Sequence, residues 1–393
     1  MTFPLPDLSS PFISAPAGMV LPGTVAFDAL IDRIAAAAPD TDAEGSFPVD
    51  AFQWLTDAGL LTITLPGEAL DFRQGRTARL LTLLKRMGAA NLAVGRVYEG
   101  HINALYLIHL YATPDQQQRW YTDVRVHGHL FSVWNTQAQD GVRIDRDDAD
   151  GYRLSGAKTF CSGAGWITRP LITGELTTPS RRGWQMAIVP TERVHPAAID
   201  DRFWQPMGMR ASASFKLDFT GITLRADDLL GEPNRYFEQP YFSGGAIRFA
   251  AVQLGGAEAM YDATRRFLAG MHRTDDLLQQ TRLAEVACLI ESGNQWLRSA
   301  GDYTDQWLAD GTDPAKIVAY ANMTRTAIEA ICLQVMPLCE RCVGARGLLR
   351  PQPFERIHRD LTMYLRQPAP DATLVDIGRY VLTNPTPAHA LWH

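Results

Sequence analysis

The first third of the chain carries the hydrophobic period of amphipathic α-helices. Between about residues 24 and 125, apolar side chains recur three and four positions apart, as in Phe27, Ile31 and Ile34. That spacing places them on one face of a helix. A further run over 91–111 predicts a long helix. These segments predict an α-helical N-terminal domain, which we place at 1–125.

The pattern then changes twice. Short apolar or alternating runs, separated by Gly, Asp and Pro, follow between about 128 and 228 and predict an antiparallel barrel or sandwich. From about residue 240 the helical period returns in long segments, whose lengths suit an antiparallel bundle. Helices, then strands, then long helices predict an α+β fold with segregated domains, not a doubly wound sheet. We place the middle domain at 126–232 and the C-terminal one at 233–393.

Composition narrows the function classes. The chain has 393 residues, 46% of them hydrophobic, and a formal net charge of -6. It has no Lys- and Arg-rich run, so we expect no nucleic-acid partner and no binding to an anionic membrane surface. We find neither a signal-peptide pattern nor an apolar stretch of membrane-spanning length. We therefore expect a cytoplasmic protein.

Cysteine spacing and glycine motifs exclude several cofactors. Five cysteines favour reduced thiols, and the pair Cys339 and Cys342 lacks the second pair that a zinc site needs. We expect no metal. The chain also lacks the glycine fingerprints of dinucleotide and P-loop sites. Any nucleotide cofactor must therefore be held in another way.

Four segments, in order along the chain, resemble conserved segments of the acyl-CoA dehydrogenase superfamily. They are LSGAKTFCS at 154–162, MGMRAS at 207–212 with LLGE at 229–232, GARG at 344–347, and PFERIHRD at 353–360. The resemblance implies a helical N-terminal domain, a middle antiparallel β-barrel and a C-terminal four-helix bundle. It also implies FAD between barrel and bundle, reaching a neighbouring subunit of a homotetramer or homodimer.

The resemblance assigns flavin contacts in the middle domain. Ser162 would offer its hydroxyl to the flavin ring, and Phe160 would pack where the family has Trp. An isoalloxazine needs such an apolar wall with a few aimed donors. Trp134, Asn135 and Thr136 would lie on the flavin-side strand, with barrel core as the alternative for Trp134.

Further cofactor contacts are implied near the C-terminal helices. Arg273 resembles the arginine that reaches the FAD diphosphate of a partner subunit, and a guanidinium fork suits two phosphate oxygens. Gln280 lies near the place of a family glutamine, and the Gly344 turn lets backbone approach the cofactor. The alternatives are a solvated arginine and a helix-ending glycine.

The family's catalytic base is missing from its usual positions. Acyl-CoA dehydrogenation needs a carboxylate within reach of the substrate α-proton. The family takes it from Y-E-G-T after R-D, or from a Glu before an Arg early in the bundle, where this chain has Ile247. Asp371-Ala-Thr373 resembles a displaced E-G-T, making Asp371 a candidate base and Thr373 a cofactor contact. The alternative is that Asp371 caps the last helix.

A second departure indicates another chemistry. The strand that ends T-E-P-x-A-G-S-D in the family ends VWNTQAQD at 133–140, without the glycine-serine turn that approaches the acyl-CoA chain. His101, Asn135 and Ser162 look like the polar set with which two-component flavin monooxygenases of the superfamily surround the oxygen that a reduced flavin activates. Donors in a water-excluding site suit that task. The alternative for His101 is a structural histidine.

Three functions follow from these patterns. The first is an FAD-dependent oxidoreductase that oxidises a small or medium acyl-like substrate, such as an acyl thioester, and passes electrons to an acceptor. The second is a flavin monooxygenase, for which FMN and a flavin reductase as partner are the natural choices. The third is a degenerate family member that serves as a binding subunit.

Overall fold

The computed structural model describes residues 20–147, 151–179, 181–195, 198–366 and 368–392. The N-terminal part is helical, as predicted. Asn91 starts its longest helix, because the Asn91 side chain accepts hydrogen bonds from the Ala93 and Val94 N–H groups. Its helices are α1 (Val25–Ala37), α2 (Val49–Asp57), α3 (Thr77–Ala90), α4 (Leu92–Tyr111) and α5 (Pro114–Arg125).

The described residues of the middle part form ten strands. They are β1 (Phe131–Trp134), β2 (Arg143–Arg146), β3 (Tyr152–Ser155), β4 (Ala157–Cys161), β5 (Arg169–Thr177), β6 (Arg182–Ile188), β7 (Ile199–Asp200), β8 (Phe215–Asp218), β9 (Thr223–Leu224) and β10 (Leu229–Leu230). One sheet has the order β10-β6-β5-β2-β3-β9 with β1 also beside β5, and a second has the order β4-β8-β7.

The prediction of a purely antiparallel barrel is wrong at β5. Both β1 and β2 pair with β5 in parallel, while the other pairings are antiparallel. Alternation along a single strand cannot distinguish the two directions, because strand direction depends on which strand lies next to it. The chain passes from one sheet to the other at Gly156, which has φ +94° and no room for a Cβ beside the Gly141 carbonyl.

The C-terminal part is helical, as predicted, and three of its helices are long. They are α7 (Ala246–Gly270), α8 (Leu277–Ala309) and α9 (Pro314–Gly347), accompanied by the shorter α6 (Tyr241–Gly244), α10 (Phe354–Tyr364) and α11 (Pro370–Thr383). The four-helix count stays a prediction. None of the described helices combines the length and apolar character that a bilayer crossing requires.

Helix α3 of the N-terminal part packs directly on α7. A Cβ at Gly255 would lie 2.0 Å from the Lys85 carbonyl oxygen, and one at Gly88 would lie 2.1 Å from the Val252 carbonyl oxygen. The absence of side chains at these two positions lets the helix backbones touch. This contact fixes α7, and with it the α7 N-terminus, against the N-terminal domain.

We predict that Gly255→Ala lowers the free energy of unfolding by about 2 kcal/mol or more, because the new methyl group overlaps main-chain atoms of α3. Urea unfolding followed by circular dichroism measures the change. Gly270→Ala on the same helix is the control, since a Cβ there meets nothing within 4 Å. It should leave stability unchanged or raise it slightly. Equal effects of the two substitutions would contradict the close contact.

Candidate functional site

The ends of β1 and β4 meet at one edge of the strand domain. The indole Nε1 of Trp134 donates to the Ser162 carbonyl oxygen at 3.1 Å. The Thr159 N–H donates to the Thr136 carbonyl oxygen at 3.0 Å. Five predicted contacts are thereby brought to the same edge: Trp134, Asn135, Thr136, Phe160 and Ser162.

An aromatic surface lies at this edge. Phe160 has φ +54° and is 46% exposed, which is unusual for a large apolar side chain. Its ring packs edge-to-face against Phe203 at 5.2 Å and Trp204 at 6.0 Å between centroids. Trp134 is buried behind the edge, beside Phe219. An exposed ring held in place by two others fits a planar heterocycle.

Ser162 begins a chain of buried hydroxyl groups. The Oγ atoms of Ser162 and Ser214 lie 2.9 Å apart, and those of Ser214 and Ser212 lie 2.8 Å apart. Ser212 belongs to the 207–212 segment, so two of the segments that resembled the superfamily meet here. Each of the three hydroxyl groups has one hydrogen, and the two bonds among them use two of these hydrogens. The third hydrogen can donate to a further acceptor. These residues fit the need of a flavin for an apolar wall and an aimed donor.

Asn135 faces away from this hydroxyl chain, since successive strand residues point to opposite faces. Its Oδ1 accepts from Thr173 Oγ1 at 2.6 Å and from Trp184 Nε1 at 3.0 Å. Lys158 Nζ supports the same cluster, donating to the Asn135 carbonyl oxygen at 2.9 Å and to Thr173 Oγ1 at 3.1 Å. Burial lowers the pKa of Lys158 to about 7. The amide of Asn135 is thus fixed with Nδ2 as its remaining donor.

His101 does not join the other two residues of the predicted set. Its Nε2 donates to the Leu61 carbonyl oxygen at 2.8 Å, and its Nδ1 accepts from the Phe131 N–H at 3.1 Å. The ring is fully buried, and burial lowers the pKa of His101 to about 4. A neutral imidazole with both nitrogens engaged by the main chain joins α4 to β1. The geometry favours the structural alternative for this residue.

The candidate base lies on the surface. Asp371 is exposed in the first turn of α11, where Ala369, not Asp371, is the residue that precedes the helix. Thr373 is buried, and its hydroxyl donates to the Ala369 carbonyl oxygen at 3.0 Å. Neither side chain is aimed at the β1–β4 edge by any contact among the described residues. Their catalytic and cofactor roles stay predictions.

Two of the predicted cofactor contacts, Arg273 and Gln280, lie near each other around the start of α8. Arg273 pairs with Asp276 at 2.6 Å in the connection between α7 and α8, and Gln280 Nε2 donates to the Thr274 carbonyl oxygen at 2.9 Å. Gly344 forms a kink inside α9, with φ 58° and ψ -167°. Contacts of these residues with a cofactor of a neighbouring subunit stay predictions.

Sequence reasoning missed a polar chain on α4. Arg96 Nη1 donates to Glu99 Oε2 at 2.6 Å, and Asn103 Nδ2 donates to the other oxygen of Glu99. Asn103 Oδ1 in turn accepts from Nε of Arg248, in the first turn of α7. The sequence does indicate this chain, because Arg96, Glu99 and Asn103 interrupt an apolar helix at intervals of three and four residues.

Each buried carboxylate among the described residues is paired with an arginine. The pairs are Asp71 with Arg73 at 2.6 Å, Glu99 with Arg96 at 2.6 Å, Asp228 with Arg193 at 2.6 Å, and Asp360 with Arg356 at 3.7 Å. Asp360 also accepts from the Met209 N–H at 2.6 Å, which joins α10 to the 207–212 segment. Burial raises the pKa of Asp360 to about 6. These carboxylates are engaged in structural contacts.

Family models match both helical parts of the chain. The acyl-CoA dehydrogenase N-terminal domain matches residues 26–125, and the acyl-CoA dehydrogenase C-terminal domain matches residues 247–365. Together they account for more than half of the chain.

Similar proteins differ in their reactions. Dibenzothiophene monooxygenase of Rhodococcus erythropolis is 23% identical over 91% of this chain and 92% of its own length. A probable acyl-CoA dehydrogenase of Bacillus subtilis (strain 168) is 25% identical over 84% of this chain and 88% of its own length. The FMN-bound structure of TdsC from Paenibacillus sp. A11-2 superposes with a TM-score of 0.82 at 16% identity, covering 93% of this chain and 98% of that one.

We predict that His101→Gln removes a pH dependence of stability. In the wild type the unfolded histidine binds a proton below its ordinary pKa of about 6.5, while the folded one stays neutral down to about 4. The stability that His101 contributes above pH 6.5 is therefore lost as pH falls, by about 2 kcal/mol between pH 8 and pH 5.

Urea unfolding at both pH values measures the effect. Gln at position 101 can donate and accept but does not titrate, so the variant should lose about 2 kcal/mol less than the wild type over this interval. His389→Gln, on the exposed C-terminal surface, should behave as the wild type does. Parallel curves for the wild type and His101→Gln would show that His101 is not held neutral.

Proposed function

Because the chain belongs to the acyl-CoA dehydrogenase family of flavin-dependent enzymes, we propose that it is a two-component flavin monooxygenase. It would receive reduced flavin from a separate reductase and transfer one oxygen atom to a small organic substrate. We prefer this function to dehydrogenation of an acyl-like substrate.

The state of the carboxylates carries the proposal. A dehydrogenase of this family needs a carboxylate that is free to accept the substrate α-proton. The four buried carboxylates that the structure describes are all paired with arginines. One of these pairs, Arg96–Glu99, lies on α4. Ile247, 1% exposed, precedes Arg248 where a glutamate would be needed, and Asp371 is exposed. Oxygen transfer does not need such a base.

The relatives support the same choice. The enzyme of R. erythropolis that is similar over nearly its whole length is a dibenzothiophene monooxygenase. An L-evernosamine nitrososynthase of Micromonospora also aligns over 90% of this chain. TdsC, whose structure superposes closely, binds FMN, and we propose FMN as the flavin here.

Reduced flavin, when bound, supplies two electrons, so that one atom of O2 enters the substrate and the other leaves as water. The chain's own residues would hold and shield the ring. Phe160, supported by Phe203 and Trp204, provides an aromatic surface, and Trp134 closes the edge from behind. The Ser162–Ser214–Ser212 chain would provide the donor when its bonds run so that the remaining hydrogen is on Ser162, and a donor in a water-poor site stabilises developing negative charge.

The assembly belongs to the same proposal. We propose that the protein is a homo-oligomer in which Arg273 and Gln280 approach the flavin phosphate of a neighbouring copy. Arg273 is half-exposed in the α7–α8 connection, and nearby apolar side chains such as Leu277 and Leu278 are largely exposed. Exposed apolar side chains of this size favour a contact with another copy.

The central test supplies the purified protein with FMN, NADH, a flavin reductase and 18O2, with indole and dibenzothiophene as probe substrates. We expect mass spectrometry to detect a product that carries one 18O atom. The parallel assay offers a panel of acyl-CoA thioesters with an artificial electron acceptor, and we expect no reduction of the acceptor. Acceptor reduction that depends on an acyl-CoA, without 18O incorporation, would overturn the proposal in favour of dehydrogenation.

We predict that Ser214→Ala lowers the yield of oxygenated product per NADH about tenfold, because it breaks the hydroxyl chain behind Ser162. The missing product should be recovered as hydrogen peroxide. FMN affinity, measured by fluorescence quenching, should change much less than the product yield. Ser292→Ala on the exposed face of α8 is the matched control and should behave as the wild type does. An unchanged yield in Ser214→Ala would show that the hydroxyl chain does not contribute to oxygen transfer.

A further inference from the structure

A small cleft lies between the N-terminal and C-terminal helices, beyond the end of the α4 polar chain. It is bounded by residues of α3, α4, α7, α8 and the start of α9, and its volume is about 70 Å³. About 10–15 Å³ of such space suffices for one water, so the cleft has room for several waters or a small polar group. Apolar walls from Leu80, Ile247 and Ile317 flank that space.

Arg248 lies at this cleft without an ionic partner. Its Nε donates to Asn103 Oδ1, and its guanidinium lies over the Tyr106 ring, 5.0 Å from the ring centroid. No carboxylate among the described residues forms an ion pair with it. Burial lowers the pKa of Arg248, although Tyr106 and Glu99 act in the opposite direction. By contrast, the pKa of Arg96 is raised, because the Glu99 carboxylate outweighs the effect of its burial.

The polar chain on α4 carries more positive than negative charge. Arg96 and Arg248 share a single carboxylate, that of Glu99, and Asn103 between them is neutral. Arg248 is partly buried, and withdrawing a cation from water without a counter-ion is unfavourable. Among the described residues, the hydrogen bond from the Arg248 guanidinium to a side chain is made by Nε, so the two terminal nitrogens can present the fork that a carboxylate accepts in two parallel bonds.

The backbone around Arg248 is built for this arrangement. A Cβ at Gly245 would lie 2.7 Å from Nη2 of Arg248, so a side chain at this position would displace the guanidinium. Gly245 also precedes α7, and no side chain caps the first N–H groups of this helix. The N-terminus of a long helix favours an anion. Gly245 and Arg248 both line the cleft, so the start of α7 forms part of its wall.

Other charged residues also line the cleft: Arg76 is a second cation, Asp71 is paired with Arg73, and Asp305 lies on the α8 wall. Asp305 lines the cleft and accepts from the Thr77 N–H at 2.8 Å and from the Thr77 hydroxyl, so that it caps the start of α3. Its carboxylate does not pair with Arg248. A dianion such as phosphate would meet this second negative charge at close range, whereas a monoanion could stay at the Arg248 side.

We propose that this cleft binds a carboxylate group through Arg248. That the carboxylate is part of the enzyme's substrate rests on the proposed oxygenase function, whereas the binding itself does not. The preferred substrate class is then an organic acid whose carboxylate enters the cleft and whose apolar body contacts the walls. The dibenzothiophene of the similar monooxygenases carries no such group.

Calorimetric titration of the purified protein with benzoate and with benzamide tests the proposal, since the two probes have similar shape and differ in charge. We expect benzoate to bind about tenfold tighter than benzamide or better. Arg248→Gln should abolish that preference, and Arg248→Lys should retain part of it. Arg86→Gln, which removes an exposed ion pair with Asp28 on α1, is the control and should keep the full preference.

A second variant tests the same site without altering Arg248. Asp305→Asn keeps an acceptor for Thr77 but removes the opposing charge, and it should tighten benzoate binding several-fold. Equal affinities for benzoate and benzamide in the wild type would overturn the proposal. So would benzoate binding that neither Arg248→Gln nor Asp305→Asn changes.

The outcomes separate this proposal from the proposed function. Oxygenation of indole without charge-selective benzoate binding would leave the monooxygenase and remove the carboxylate site. Charge-selective binding in a protein that incorporates no 18O into any probe would leave the site and remove the monooxygenase.

Discussion

A carboxylate that is buried in a protein needs a cation beside it or a bound proton, and this constraint limits which groups of the molecule can act as a base. The cost of an unpaired buried charge is large enough to force each such group into a pair or to shift its pKa. The described buried carboxylates are all paired with arginines. These pairs engage four carboxylates that could otherwise have served as a base for α-proton removal.

Helix α4 connects this constraint to the rest of the structure. On one side it contacts β1, where His101 joins it to the Phe131 main chain. On another side it carries the chain from Arg96 through Glu99 and Asn103 to Arg248 at the start of α7. The contact of α3 with Gly255 holds α7 in register with that chain. The β1–β4 edge and the Arg248 cleft are therefore both positioned by contacts of the same helix.

Much of the architecture could be predicted from the sequence. The helical period located α4 to within one residue and predicted the long helices after residue 240, because amphipathic helices show their buried face in local spacing. The alternating runs predicted strands correctly but not the parallel pairs of β5, since pairing depends on contacts between distant segments. The resemblance of four short segments to the superfamily agreed with the family-model matches, which cover the helical domains on either side of the strands.

Fewer features of the candidate site could be predicted from the sequence. Trp134, Phe160 and Ser162 do meet at one edge, but His101 and Asn135 point elsewhere. A residue type and its place on an element do not specify which way the side chain faces, and at His101 a shift of one position along the helix changes the face. The Arg96–Glu99–Asn103 spacing was visible in the sequence, yet its partner Arg248 is 145 residues from Asn103 along the chain. Spacing within one helix therefore cannot identify Arg248 as the partner of Asn103.

The crystal structure of the protein with FMN tests the central claim most directly. The account predicts the isoalloxazine against Phe160, with a ring atom within about 3.2 Å of the Ser162 hydroxyl, and no unpaired carboxylate facing the open side of the ring. A flavin bound away from the β1–β4 edge would contradict it. So would a free aspartate or glutamate aimed at the substrate side.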